Sequence, residues 1–454
     1  MLDYPPLREL QHIVQADPGP HGAERITAVC ADSRRVTPGS LFVALRGPRF
    51  DGHAFVAQCL ARGAAAAVVE RWYRGSGIDE GRLLRVRAPL GAYHALSRWR
   101  RTALGRPVVA VTGSVGKTTT KELIAAALAS QGPLLCTPGN YNNEFGVPAT
   151  LNRLEPRHRI VVVEMGMRGP GQIRELGQIA LPDVAVITNV GTAHIGLLGS
   201  REAIARAKCE LLETLSPGGL AVLNADDPLL MSTARQVWQG STVTFGLERG
   251  DYRGTLEVDG HLQVHQQRIE PPLPGPHHAM NLLAALAVAR HFDVPWSALR
   301  RLRVRLPDGR AQRLELQGGI TVMDETYNAG LESTIASLRL LAIQSAKRRV
   351  AVLGTMKELG EHSLSLHRQV GETAAALGLD ELWTVADDAE AEALIEGAQG
   401  LPAHRFDSTE QLTQHLSTAL QHGDCVLFKA SRAVALDRVV AALVRHRGVV
   451  SSGK

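Results

Sequence analysis

Short apolar runs recur along most of this chain, and helix-forming segments separate them. Because neither face of such a run offers polar side chains to water, the pattern predicts strands that are buried on both faces of a parallel sheet. The predicted strands are residues 41–45, 65–69, 108–111, 159–164, 184–189, 219–224, 320–324, 349–353 and 425–429. We therefore predict an α/β fold whose ligands lie at the carboxyl ends of its parallel strands.

A chain of 454 residues is too long for a single hydrophobic core. A proline-rich segment at 271–276 and a loop-forming segment at 306–310 interrupt the alternation of strands and helices. We predict three units, which are residues 1–105, 106–306 and 307–454.

Composition narrows the possible partners and compartments. The net charge of +5 is too small to indicate nucleic-acid binding. The densest basic run, residues 300–305, contains no aromatic residue, which favours a solvated strand or an inter-domain face over a nucleic-acid site. The five cysteines form no C-x-x-C pair, which indicates a reducing compartment and argues against a zinc site. Because we find no signal-peptide pattern and no apolar run of membrane-spanning length, we expect a cytoplasmic protein without nucleic-acid partners or membrane insertion.

Phosphate-binding chemistry is predicted at one strand-to-helix turn. The strand at 108–111 leads into Thr-Gly-Ser-Val-Gly-Lys-Thr at 112–118, and a helix former follows at 121–128. Glycines let backbone amides approach phosphate oxygens, Lys117 reaches the outer phosphates and Thr118 offers a hydroxyl to Mg²⁺. The loop is shorter than the common P-loop, and its predicted ligand is a nucleoside triphosphate with Mg²⁺. The nucleotide-binding residues of the loop are Gly113, Ser114, Gly116, Lys117, Thr118 and Thr119.

Four other residues are candidates of unequal strength. Glu164 ends an otherwise apolar strand, where a carboxylate suits a second Mg²⁺ ligand. His194 follows another strand end, and its position suits a metal ligand and an ordinary turn residue equally well. Lys208 lies in a predicted helix, and the pattern alone does not exclude a plain solvent-facing lysine. Ser33 and Arg34 lie in a turn that suits anion binding, although an ordinary surface turn fits the pattern better.

Taken together, these motifs resemble those of the Mur ligase family, the ATP-dependent amino-acid-adding enzymes of bacterial cell-wall synthesis. The short loop at 112–118 looks like the family's P-loop, and residues 32–34 with 41–47 are similar to its uridine-nucleotide-binding domain. The resemblance covers nearly the whole chain. It implies an N-terminal domain for the UDP-linked substrate, a central parallel-sheet P-loop ATPase domain and a C-terminal Rossmann-like domain that binds the incoming amine.

Two segments point to one kind of family member. Residues 139–148 read G-N-Y-N-N-E-F-G-V-P, and residues 324–329 read D-E-T-Y-N-A. Both look like the member that adds a dipeptide, whereas the T-T-G loop and the D-N-P-R motif of the tripeptide-forming member do not occur. The resemblance implies that D-alanyl-D-alanine is joined to UDP-N-acetylmuramoyl-tripeptide through an acyl-phosphate, and we expect a monomer.

The resemblance also implies roles for single residues. Lys208 matches the lysine that CO₂ carbamylates, and with Lys117, Glu164 and His194 it makes up the implied catalytic set. The implied metal ligands are Thr118, Glu164, His194 and Lys208. Further implied contacts are Asn281, Arg310 and Asn328 with the nucleotide, and Ser33, Arg34, Asn140, Asn142 and Asn143 with the UDP-linked substrate.

The chain departs from the family pattern at a few positions. His278 stands where the family usually has Asn, Glu325 and Thr355 stand where it usually has Asp, and residues 429–432 read K-A-S-R for K-G-S-R. By the resemblance, Glu325 reaches one methylene further toward the ribose than Asp would, and Thr355 removes a charge near the incoming dipeptide.

Two other functions share part of this pattern. Folylpolyglutamate synthetase shares the short P-loop but lacks a uridine domain of this kind. A nucleotide-binding regulatory module without turnover would not require the intact set of Lys117, Glu164, His194 and Lys208.

Overall fold

Three large sheets follow one another along the chain, and parallel pairing dominates each of them. They are seen in a computed structural model that describes residues 4–20, 22–47 and 50–450. The predicted α/β class is confirmed. Each sheet lies within one of the three predicted units, whose exact limits stay a prediction.

The first sheet has four parallel strands in the order β1-β2-β5-β6, and a short antiparallel hairpin of β3 and β4 stands apart from it. Helix α3 packs on one face and α2 on the other, so both faces are covered. The strands are β1 (Ala28–Cys30), β2 (Ser40–Val43), β3 (Arg46–Gly47), β4 (Phe50–Asp51), β5 (Ala66–Glu70) and β6 (Leu83–Val86), and the helices are α1 (Leu7–Ile13), α2 (Val56–Ala61) and α3 (Pro89–Leu104).

The middle sheet has nine strands in the order β15-β14-β13-β12-β11-β10-β7-β9-β8. The strands are β7 (Val108–Thr112), β8 (Leu134–Cys136), β9 (Ile160–Glu164), β10 (Val184–Ile187), β11 (Leu220–Asn224), β12 (Ser241–Gly246), β13 (Tyr252–Leu256), β14 (Leu262–Val264) and β15 (Gln267–Ile269). The helices are α4 (Lys117–Leu128), α5 (Gly146–Leu151), α6 (Gln172–Ala180), α7 (Ile195–Leu198), α8 (Arg201–Cys209), α9 (Pro228–Val237), α10 (Pro276–His291) and α11 (Trp296–Leu299).

Strand β7 lies between β9 and β10, and all five of its residues are buried. Helices α4 and α10 cover one face, and α5, α6 and α8 cover the other. This burial explains why the apolar run at 108–111 predicted the strand correctly.

The middle unit differs from the predictions in two respects. No strand was predicted between residue 224 and the end of this unit, yet β12 to β15 extend the sheet and end in an antiparallel meander. These strands are partly exposed and polar, so they lack a long apolar run. The basic segment 300–305 forms no strand, so the solvated-strand alternative was wrong, while the inter-domain face stays a prediction. Within this segment Arg301 makes a single bridge, with Glu270, and Arg303 and Arg305 are exposed.

The third sheet has the order β16-β17-β21-β18-β19-β20, in which only β16 is antiparallel to its neighbour. Helices α12, α13 and α14 cover one face, and α15 and α16 cover the other, as in a Rossmann-like domain. The strands are β16 (Gln312–Leu316), β17 (Ile320–Asp324), β18 (Arg348–Gly354), β19 (Glu381–Val385), β20 (Ala403–Arg405) and β21 (Asp424–Lys429), and the helices are α12 (Leu331–Ala342), α13 (Ser363–Ala376), α14 (Asp388–Gly397), α15 (Thr409–Ala419) and α16 (Leu436–Arg447).

The third unit packs directly on the middle unit. Met356 and Leu359 belong to the same hydrophobic cluster as Ile195 of the middle unit. The backbones approach so closely that a Cβ on Gly196 would lie 2.4 Å from the nitrogen of Gly360. This contact brings the loop after β10 against the third unit. Among the described residues, no helix is both long and apolar enough to cross a membrane.

Candidate active site

All three units line one cleft of about 2250 Å³. Most of the predicted site residues lie on its wall, while Gly113 and Lys208 do not. The predicted residues that line the cleft are Ser33, Arg34, Ser114, Gly116, Lys117, Thr118, Thr119, Asn140, Asn142, Asn143, Glu164, His194, Asn281, Arg310 and Asn328.

The loop between β7 and α4 requires both of its glycines. A Cβ on Gly113 would lie 1.8 Å from Oγ1 of Thr188, and one on Gly116 would lie 2.5 Å from Oδ1 of Asn281. Gly116 also adopts a φ of 82°, which disfavours any residue with a Cβ. The loop therefore packs so tightly against Thr188 and Asn281 that a side chain at either glycine would clash.

Hydrogen bonds from the neighbouring loop hold this turn in shape. The backbone amides of Ser114 and Val115 donate to the carbonyl and side-chain oxygens of Asn189, both at 3.0 Å. The amide of Gly191 donates to Oγ of Ser114 at 2.9 Å. Strand β10 thus positions the phosphate loop through the residues that follow it.

Lys117 is partly buried at the start of α4. Its Nζ donates to the carbonyls of Gly113 at 2.7 Å and Ser114 at 3.2 Å. Burial lowers its pKa and the charge of Arg310 lowers it further, whereas Glu164 acts in the opposite direction. The ammonium therefore lies within the phosphate loop, and Glu164 is close enough to influence its charge.

Glu164 is a buried carboxylate with one free oxygen. Its Oε1 accepts a hydrogen bond from Nδ2 of Asn142 at 2.6 Å. Its Oε2 is buried, and no described residue donates to it. A buried carboxylate oxygen without a donor is costly unless a cation or another donor satisfies it, so this atom fits a Mg²⁺ ligand.

Protein ligands alone do not make a metal site here. Among the described ranges, no group of three or more His, Cys, Asp or Glu side chains could hold a metal ion. Mg²⁺ commonly takes one or two carboxylates and completes its shell with water and phosphate oxygens. The residues present fit that pattern, with Glu164 as the carboxylate and Thr118 buried in the first turn of α4.

His194 lies where the middle and third units meet. It precedes α7 with a φ of 67°, and its Nδ1 pairs with Oε2 of Glu358 from the third unit. Burial lowers the pKa of His194; Glu358 opposes this effect, while Lys117 and Lys208 add to it. The imidazole therefore lies close to both lysines and favours its neutral form.

Lys208 is buried in the last turn of α8, with 1% of its surface exposed. The solvent-facing interpretation of this residue was wrong. Burial lowers its pKa well below the ordinary value for lysine, and the charge of Lys117 lowers it further. None of the described residues forms an ion pair with it. The buried environment of Lys208 therefore favours the neutral amine.

The end of the cleft that is predicted to bind the nucleotide combines α10 with the start of the third unit. Asn281 is buried on α10 opposite Gly116, and His278 lies one turn earlier with both ring nitrogens buried and unpartnered among the described residues. The guanidinium of Arg310 stacks on the ring of Tyr327 at 3.7 Å from its centroid. The backbone oxygen of Asn328 accepts from Lys429 at 3.1 Å.

The opposite end of the cleft is more open. Arg34 has an 86% exposed side chain and binds both carboxylate oxygens of Asp32, which also caps the turn containing Ser33. Oδ1 of Asn143 accepts hydrogen bonds from the backbone amides of Phe145 and Gly146. The carbonyl of Asn140 accepts one from the amide of Asn142 at 2.7 Å. The exposed side chains leave room for a ligand along this wall.

Thr355 does not line the cleft. It is buried, and its Oγ1 accepts the backbone amide of Asp387 at 2.8 Å. The carboxylate of Asp387 pairs with Lys357, which does line the cleft. Thr355 supplies no carboxylate at its own position. The carboxylate of Asp387 lies nearby, because the backbone amide of Asp387 donates to Thr355.

Sequence patterns missed three charged residues near the site. Glu358 pairs with His194, and Glu332 accepts from the amide and hydroxyl of Thr192 at 2.7 and 3.2 Å. Both come from the third unit, so no local pattern could have placed them. Lys121 is fully buried on α4, and its only signal was its spacing of one helical turn from Lys117.

Comparisons with known proteins agree with this architecture. Three family descriptions match the chain, which are the Mur ligase middle domain over residues 111–289, the Mur ligase glutamate ligase domain over residues 309–432 and the Mur ligase family catalytic domain over residues 25–76. The chain belongs to the Mur ligase family.

Individual relatives cover nearly the full chain. A UDP-N-acetylmuramoyl-tripeptide–D-alanyl-D-alanine ligase from Synechocystis sp. is 49% identical over 92% of this chain and 92% of its own length. The Escherichia coli ligase of the same name is 36% identical over 92% of this chain and 94% of its own.

Solved structures of MurF proteins superpose on nearly the whole chain. A MurF crystal structure from Acinetobacter baumannii superposes with a TM-score of 0.87 at 32% identity and covers 98% of this chain and all of its own (100%). A MurF ligase from Thermotoga maritima in complex with ADP has a TM-score of 0.82 at 33% identity and covers 92% of this chain and 97% of its own. The predicted three-domain Mur ligase architecture is confirmed.

Proposed function

We propose that this chain joins D-alanyl-D-alanine to UDP-N-acetylmuramoyl-tripeptide in an ATP-dependent step of peptidoglycan precursor synthesis. The observation that carries the proposal is the single cleft in which the phosphate loop, a carboxylate with a free oxygen and two ligand-binding ends meet. Relatives with that activity in their name match the chain over most of its length.

The reaction activates a carboxylate and then transfers it. A carboxylate oxygen of the tripeptide attacks the γ-phosphorus of ATP, and the bond from that phosphorus to the β–γ bridging oxygen breaks to release ADP. The dipeptide amine attacks the acyl-phosphate carbon, loses a proton, and the tetrahedral intermediate expels phosphate to leave an amide. Lys117 and the loop amides stabilise the negative charge on the transferring phosphoryl group.

Mg²⁺ would be held by Thr118, Glu164, His194 and a carbamylated Lys208, and when bound it neutralises charge on the phosphate oxygens. Oε2 of Glu164 supports this assignment because it is buried without a donor. The neutral imidazole that burial favours at His194 supports a ligand role for its ring nitrogen.

The carbamate at Lys208 would form when the neutral amine attacks CO₂ and releases one proton. Two features of Lys208 support this step, which are its burial and the strong lowering of its pKa. The product carries a negative charge and supplies two oxygen ligands, so this side chain would attract a cation that a protonated lysine would repel.

The substrates are assigned to the two ends of the cleft. Ser33 and Arg34 bind the UDP portion, and Asn140, Asn142 and Asn143 lie along the peptide. At the other end Asn281 contacts adenine, and Arg310 and Asn328 contact the rest of the nucleotide.

Domain closure and compartment complete the proposal. Residues 307–454 bind the dipeptide and close on residues 106–306 about a hinge near 307–309, while residues 1–105 hold UDP. We assign the protein to the cytoplasm, where ATP and UDP-linked precursors are available, and expect it to act as a monomer.

An assay of ADP release with purified protein tests this function. We expect release only when UDP-N-acetylmuramoyl-tripeptide and D-alanyl-D-alanine are both present, and a product heavier than the tripeptide by the dipeptide residue mass. Single amino acids and L-alanyl-L-alanine serve as controls. ADP release that is equally fast without the dipeptide would contradict the proposal.

A further inference from the structure

Lys121 is a fully buried lysine to which the reaction described above assigns no role. None of its surface is exposed (0%), yet its Nζ donates to the carbonyls of Thr137 at 2.7 Å and Gly139 at 3.0 Å. It also pairs with the carboxylate of Glu122 at 2.8 Å. Because burying an ammonium without acceptors is costly, these three acceptors fix the position of Nζ of Lys121.

The carbonyls that Lys121 binds belong to the loop that leads from β8 toward the cleft. The same loop is tied to the end of β9. Oγ1 of Thr137 accepts the backbone amide of Glu164 at 3.0 Å, and the carbonyl of Asn142 accepts the amide of Gly166 at 2.8 Å. Helix α4 and strand β9 are therefore joined through this loop, which we call the bridging loop (residues 137–142).

The bridging loop ends at the carboxylate assigned to the cation. Nδ2 of Asn142 donates to Oε1 of Glu164 at 2.6 Å. This bond occupies one carboxylate oxygen and leaves Oε2 without a donor among the described residues. The orientation of Glu164 thus depends on the position of Asn142, and Asn142 lies on a loop that Lys121 holds.

We propose that Lys121 is a positioning residue that fixes the bridging loop so that Asn142 orients Glu164 for cation binding. The inference rests on the proposed function, in which Glu164 binds Mg²⁺. Without Lys121 the carbonyls of Thr137 and Gly139 lose their donor, and the loop shifts to find other partners. Groups that orient a metal ligand through hydrogen bonds typically change metal affinity by about 10- to 100-fold when they are removed.

The test compares nucleotide affinity with and without Mg²⁺ by calorimetry, using ADP as the probe. In the wild type we expect Mg²⁺ to tighten ADP binding. Lys121→Met, which keeps the side-chain length but donates nothing, should reduce that tightening about tenfold and leave Mg²⁺-free affinity nearly unchanged. Glu122→Gln is the matched control, because it removes the neighbouring charge and retains both bonds from Lys121 to the loop.

A double mutant separates positioning from independent effects. If Lys121 acts through Asn142, Lys121→Met and Asn142→Ala should each give the same loss, and the double mutant should lose no more than either. Losses that multiply would overturn the proposal, as would an unchanged effect of Mg²⁺ in Lys121→Met. Should Lys121→Met fail to fold, Lys121→Gln replaces it with the same two outcomes.

Hydrogen exchange distinguishes this inference from the proposed function. If Mg²⁺ does not tighten ADP binding even in the wild type, the assigned cation site is wrong. The positioning role is then judged by exchange at the backbone amides of Glu164 and Gly166. Faster exchange at both amides in the variant at position 121, but not in Glu122→Gln, supports the proposal, and unchanged exchange overturns it.

Discussion

The two ends of the cleft hold their charged groups in opposite ways. At the phosphate end, which contains the predicted phosphate loop, Glu164 is buried and Lys117 is partly buried, and Lys208 is buried without lining the cleft. At the opposite end, which is proposed to bind uridine and is called the uridine end below, Arg34 is 86% exposed and pairs with Asp32 in its own turn. The charged groups at the phosphate end are therefore held in place by tertiary packing, whereas those at the uridine end remain exposed to water.

This difference predicts how strongly each end responds to substitution. Charges interact more strongly where water is excluded, and exposed ion pairs contribute about 0–1 kcal/mol. Substitutions at the phosphate end should therefore reduce the rate of the chemical step severely. Substitutions at the uridine end should weaken binding of one substrate and leave the chemistry intact.

The largest effect is expected for Lys117→Ala. Removing the cation beside the γ-phosphate should lower kcat by about 1000-fold or more, because charge on the transferring group loses its stabilisation. Ligation rate is the measurement, and an unchanged melting temperature serves as the folding control. Substantial remaining turnover would contradict the assignment of the phosphate loop.

Lys208→Ala should lower activity by about 100-fold, since the proposed carbamate and its ligand oxygens would be lost. Small carboxylic acids that enter the vacated space should restore part of the activity. Lys208→Glu should retain more activity than Lys208→Arg, because only glutamate keeps the negative charge. The carbamate would be ruled out by a nearly wild-type Lys208→Arg together with an absence of rescue.

Arg34→Ala should raise the KM for the UDP-linked substrate by about tenfold and leave the KM for ATP nearly unchanged. Steady-state kinetics with each substrate varied in turn measure this selectivity. Arg71→Ala is a suitable control, because it removes another exposed arginine of the first unit, paired with Asp17 at 2.6 Å. An equal rise in both KM values would show that the site is misplaced or the unit is damaged.

The smallest effect is expected for Glu332→Gln. The glutamine still accepts from Thr192 but loses the charge, so a weaker contact between the units should lower kcat by about threefold. Rapid-mixing kinetics of domain closure would check the cause. A loss as large as that of Lys117→Ala would instead place Glu332 among the groups that act on the substrate.

The comparison of the two ends also shows what the sequence could predict. The phosphate loop and Glu164 were predictable because a local run of residues specifies a strand, a turn and a carboxylate at the strand end. The burial of Lys208 could not be predicted from the helix pattern, which fits an exposed lysine as well, and only the family resemblance pointed to a desolvated side chain there. Glu358 and Lys121 depend on contacts between distant segments, which no local pattern contains.

The fold shows the same limit. Buried parallel strands such as β7 were predicted within one residue, because burial on both faces leaves an apolar run. Strands β12 to β15 were missed because they are partly exposed and therefore lack a long apolar run. The family resemblance identified the three-domain plan, but the contacts that join the units appeared only in the structure.

Transfer of oxygen from the substrate to phosphate tests the central claim most directly. The tripeptide carboxylate is labelled with ¹⁸O, ligation is run to completion with ATP and D-alanyl-D-alanine, and the released phosphate is analysed by mass spectrometry. If the cleft activates that carboxylate as an acyl-phosphate, each phosphate should carry one ¹⁸O atom from the substrate. Release of unlabelled phosphate during ligation would contradict this account.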